Sequence, residues 1–113
     1  MSQYMQIDIR LVPVYEKPFE KQFPRLADLL RRTGRQELVE KETSFYEMAD
    51  ALEMIAESPD TPSGIREAVS PHEQKIMAIK EIARDHLLAR RLNEMDRELY
   101  RMEDAFEDLE ASL

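Results

Sequence analysis

The sequence has no cysteine and only 2 glycines, Gly34 and Gly64. Without cysteine there are no disulfides, no thiolate nucleophile, and no Cys-based zinc or iron–sulfur centre. Two isolated glycines cannot form a phosphate-cradling loop, and no serine stands in a nucleophile elbow. No segment approaches the roughly 18 continuous apolar residues of a membrane helix. Gln6, Asp8 and Arg10 interrupt the apolar positions that a secretory leader would need. These absences lead to the expectation of a soluble, cytoplasmic protein with no membrane contact, no cofactor and no enzymatic activity.

What is present is charge and helix-forming residues. Charged residues make up 35% of the 113 and hydrophobic ones 42%, a globular or coiled-coil balance that suits one domain with a single core. The net charge of −8 is uneven, because residues 94–113 hold eight acids against Arg97 and Arg101. Phosphates would be repelled by that end, so nucleic acid is not an expected partner.

Residues 4–15 read YMQIDIRLVPVY. Met5, Ile7, Ile9 and Leu11 alternate with polar residues, the period of a half-buried strand, and no other run in the chain shares it. A lone strand over residues 4–12 needs a partner for its backbone groups. It is expected to pair with a second copy or with a partner's sheet edge, a third outcome being an extended arm across the helices. Pro13, Pro18 and Pro24 then mark residues 13–24 as an extended connector, with Phe19 and Phe23 as anchors.

Everything later reads as helix, which makes the fold class mainly α. Pro24 suits a first turn, and Gly34 suits the stop that follows Leu26, Ala27, Leu29 and Leu30. A second helix over 35–57, forming a helical hairpin with the first, keeps Leu38, Phe45, Met48, Leu52 and Ile55 at spacings of three and four. Residues 58–70 form a loop with a short turn. Ser70, Pro71 and Glu73 combine a cap, a first-turn proline and a capping-box glutamate, so the last helix is predicted over 71–113.

That helix would be about 65 Å long, which exceeds the roughly 30–35 Å span of a compact chain of this size. It must break or project. Leu88, Leu92, Met95, Leu99, Met102, Phe106, Leu109 and Leu113 alternate spacings of four and three, a heptad seam. Ile76, Ile79, Ile82, Ala83 and Leu87 lie roughly 140° away on a continuous helix. The expectation is that residues 71–87 pack within the chain while 88–113 offer a coiled-coil seam to a second copy, giving a homodimer.

The remaining chemistry is sparse. His72 and His86 suggest a metal site, but no HExxH or Glu-x-x-His spacing accompanies them, and ordinary helix histidines account for both. Arg25, Arg31, Arg32 and Arg35 flank a helix–turn–helix-like junction whose second helix is acidic, the wrong sign for a recognition helix. Arg84, Arg90 and Arg91 could pair with the acidic end of an antiparallel copy. The sequence thus points to an acidic helical interaction module, an adaptor, chaperone-like factor or regulatory subunit with an unidentified protein partner. Its expected contact residues are Met5, Ile7, Ile9 and Leu11 on one strip and Leu88, Leu92, Met95, Leu99, Met102, Phe106 and Leu109 on the other. The alternatives are a nucleic-acid-mimicking inhibitor of a basic protein, in which Asp96, Glu103 and Glu110 form a row, and a small metal-dependent helical enzyme.

Overall fold

The computed structural model describes residues 3–5 and 9–113. The chain is mainly α, with six helices among the described residues: α1 Phe19–Gln22, α2 Pro24–Arg32, α3 Gln36–Glu40, α4 Phe45–Glu57, α5 Ser63–Leu88 and α6 Leu92–Ser112. Pro24 opens α2 at its first position, as its fixed φ favours. Gly34, at φ 76°, ends it. There the Arg35 N–H donates to the Leu30 carbonyl (2.7 Å) and the Gly34 N–H to that of Arg31 (3.2 Å), satisfying carbonyls that a helix end leaves open.

The same paired closure recurs at two residues that are not glycine. Glu42 (φ 48°) stops α3, with Thr43 N–H donating to Leu38 and Glu42 N–H to Val39. The predicted 35–57 helix is therefore two helices, and Ser44 restarts the chain by accepting a hydrogen bond from the Glu47 N–H. Arg90 (φ 58°) stops α5, with Arg91 N–H donating to His86 (2.8 Å) and Arg90 N–H to Leu87 (3.0 Å).

The Arg90 turn corrects the expected 71–113 helix. α6 folds back antiparallel on α5, bringing Asp108 within 3.9 Å of Lys75. A continuous helix would hold the two apolar stripes on nearly opposite sides; the reversal turns them toward each other. Met95, Met102, Phe106 and Leu109 are consequently buried within the chain itself, at 0–3% exposure. The seam is an internal one.

At its other end α5 starts eight residues earlier than predicted, so Pro71 lies inside the helix. An interior proline costs about 3 kcal/mol, since it removes one backbone donor and crowds the preceding turn. Burial of Val69 on the N-terminal side of Pro71, with Ile65 packed at the edge of the core, offsets that cost and explains why the Ser70 start signal is overridden. Arg66 then secures the shortened loop, donating from Nη2 to the carbonyls of Ser58 (2.6 Å) and Thr61 (3.1 Å).

α4 runs antiparallel to α5 on its other side, fixed where Lys80 meets Asp50 at 3.0 Å and lies over the Tyr46 ring. α2 crosses near the C-terminal end of α6. Its N-terminus has no local side-chain cap; instead the Glu110 carboxylate accepts from the N–H groups of Arg25 (2.9 Å) and Leu26 (2.7 Å). A carboxylate there satisfies two open donors and complements the positive end of the helix dipole. The principal extents are 51 × 26 × 24 Å, because the α5–α6 hairpin runs on past the start of α4.

No strand occurs among the described residues, which corrects the expected 4–12 strand. Residues 9–12 are not strand, and residues 11–15 lie along the helices as an arm. Residues 6–8, and with them Ile7, lie outside the described residues.

Two substitutions test these ends. Arg90→Gly relieves a left-handed side-chain residue and is expected to stabilise the protein by about 0.5–1 kcal/mol after the added unfolded-state entropy is counted. Urea unfolding measures it, and a loss of stability would contradict the turn. Glu110→Ala removes the cap of α2 and is expected to lower stability by about 1–2 kcal/mol in the same assay.

Candidate interaction cleft

The aromatic residues determine where a surface site can form. Phe19, Phe23, Phe45 and Phe106, all the phenylalanines of the sequence, make one cluster with Tyr15. Phe45 stacks on Phe106 with centroids 4.4 Å apart and meets Phe23 and Tyr15 edge-on at 5.2 and 5.7 Å. Such contacts add roughly 0.5–1.5 kcal/mol each beyond burial. They hold the arm, α1, α4 and α6 at one point.

Tyr15 is the arm's anchor, its hydroxyl donating to the Thr43 carbonyl at 2.7 Å. Between the anchored arm and the helices lies a cleft of about 200 Å³. Its lining comprises residues 11–15, then Ser44, Phe45 and Tyr46 at the start of α4, and Leu99, Met102 and Glu103 on α6. Small-molecule sites usually exceed about 300 Å³, so this cleft suits a side chain or short segment. Val12 and Val14 stand on its rim at 73% and 87% exposure.

The electrostatics of the cleft are negative. Burial, then Glu42 and Glu103, push the Tyr15 phenol up to about 12. Burial also raises the Glu103 carboxyl above its ordinary value, with Glu107, Asp104 and Asp96 adding to the effect. Tyr46 is raised by burial, partly countered by Arg84. Lys80 sits 4.4 Å from the Tyr46 ring centroid but is held by Asp50 and does not line the cleft.

The two expected contact strips meet here in part. Leu11 from the arm joins Leu99 and Met102 from the seam. Met5 is exposed and Ile9 lies at the margin of exposure, whereas Met95, Phe106 and Leu109 are covered by the chain's own helices. Leu88 and Leu92 are exposed at the tip of the α5–α6 hairpin, at 69% and 50%. Tyr15, Phe45 and Tyr46 were not anticipated as contact residues, and Glu103 was expected only as part of an acidic row. The Ser44-x-x-Glu47 pattern, a helix-start signal, could have located Phe45 and Tyr46 at the mouth of α4.

His72 and His86 both lie in α5, about 21 Å apart along the axis at 1.5 Å per residue, too far to share an ion. His86 accepts from Arg91 at 3.0 Å, within the reversal. Among the described residues no group of three or more His, Asp or Glu is placed to hold a metal, and no helix is long and apolar enough to cross a membrane. No family model, curated protein or solved structure matches this chain.

The Tyr15 environment predicts alkaline sensitivity. Below pH 10 the phenol is neutral in both folded and unfolded chains; between about 10 and 12 only the unfolded chain ionises it, so stability falls across that window. Tyr15→Phe should flatten this fall in denaturation measured from pH 9 to 12, and remove the tyrosinate absorbance step near pH 12.

Proposed function

We propose that this chain is a small acidic protein–protein interaction module, serving as an adaptor or regulatory subunit. The observation that carries the reading is the cleft between the arm and α4–α6, rimmed by exposed Val12 and Val14, above a core that is already complete. An apolar rim beside a formed cleft is the arrangement by which a partner's side chain is anchored and its neighbours covered. The partner is taken up across the arm, a smaller surface than the heptad seam would have supplied. Self-association is one form of this reading, with a second copy as the partner.

Nucleic-acid mimicry is the second reading, supported by Asp96, Asp104 and Glu107 standing close enough to Glu103 to raise its carboxyl. It is weakened by Glu110, the third member of the proposed row, whose carboxylate is engaged in capping α2.

A photo-crosslinking amino acid at Val14, compared with one at exposed Gln74 on α5, tests the proposal in extract of the source cells. A discrete product from position 14 alone is expected, and one of twice the chain's mass would identify a second copy. Equal labelling from both positions would refute the cleft as the docking surface. Binding lost steeply between 50 and 500 mM salt would favour mimicry over anchoring through apolar contact.

A further inference from the structure

Resting on the reading of the cleft as a docking surface, we infer that its occupant is a lysine or arginine side chain of the partner, carried between apolar residues. Glu103 is the acidic side chain that lines the cleft, and among the described residues no cation pairs with it. The charges that act on it, those of Glu107, Asp104 and Asp96, are of the same sign. An anionic occupant would add repulsion, and a neutral one would displace water from the exposed Glu103 carboxylate without replacing its hydrogen bonds.

The walls match the rest of such a side chain. Tyr15, Phe45 and Tyr46 supply aromatic surface, which attracts cations through the ring quadrupole. Leu11, Val14 and Leu99 supply apolar surface for an aliphatic stem, which lysine and arginine bury while keeping the charged head in a polar place. The fold uses the same pairing internally: Lys80 is held between the Tyr46 ring at 4.4 Å and the Asp50 carboxylate at 3.0 Å, with its side chain 12% exposed. The rim residues Val12 and Val14 then call for apolar neighbours on either side of the basic residue.

The test uses the full chain and four capped tripeptides, Leu-Xaa-Leu, in which Xaa is lysine, arginine, norleucine or glutamate. Binding is followed by NMR at the amides of Tyr15, Ser44, Tyr46 and Glu103. The lysine and arginine peptides are expected to saturate these signals at about five- to tenfold lower concentration than the norleucine peptide, the scale of one partly screened charge pair with an aromatic contribution. Glu103→Gln should abolish that preference while leaving the chain folded, since it removes repulsion from α6; Glu67→Gln, a remote exposed control, should not. Equal affinity for norleucine, or an unchanged preference in Glu103→Gln, would overturn the cation inference while the docking surface stands. Failure of every peptide to move the cleft signals would overturn both.

Discussion

The architecture depends on one left-handed residue. Leu88, Ala89, Arg90, Arg91 and Leu92 are good helix formers, and nothing in their local preference calls for a stop. The stop is imposed from outside the segment, by two apolar stripes that would face nearly opposite ways on a continuous helix and can be buried together only if the chain reverses between them. Arg90 absorbs the required φ of 58°, and two backbone bonds close the end of α5. Tertiary burial of Met102, Phe106 and Leu109 outweighs a local conformational penalty of about 1–2 kcal/mol.

Once α6 returns, the remaining elements can be placed. Phe106 meets Phe45 and completes the aromatic cluster, while Glu110 reaches the open end of α2. The acidic character of α6 is thus divided by position around and along the helix. Glu110 serves the fold, Glu98 pairs with Arg101, and Glu103 faces the cleft beside the arm. Charges that look interchangeable in the sequence have separate roles: the helix turns residue 98 roughly 140° away from residue 103, whereas 103 and 110 share a face and are separated by about 10 Å along the axis, one level with the arm and the other with the start of α2.

Much of the helical content was legible. The Pro24 start and Gly34 stop carry their own stereochemical reasons, and the structure places both as those reasons require. The phase jump between Leu87 and Leu88 was legible too, yet it admits two solutions, a projecting seam or a reversal, and the marker that would choose between them, a glycine, is missing. The same gap hid the α3–α4 break at Glu42. Ser70-Pro71 misled for the opposite reason: a strong local start signal was overridden by the burial of Val69 before it. Of the cleft, Leu11, Leu99 and Met102 were foreseen as contact residues. Tyr15, Phe45 and Tyr46 were not, since what brings them together is an arm crossing from residue 15 to residue 43, and no periodicity encodes such a contact.

The Glu110 cap has a consequence in time as well as in space. Its acceptor lies 85 residues downstream of the Arg25 amide it satisfies. At synthesis rates of roughly 5–20 residues per second, α2 waits about 4–17 s for that carboxylate to emerge. During the interval Leu26 and Leu30 also lack the surface of α6, and the aromatic cluster lacks Phe106. The order in which the polypeptide leaves the ribosome is therefore the reverse of the order in which its first helix can be completed, and early apolar segments must remain uncommitted until the hairpin closes over them.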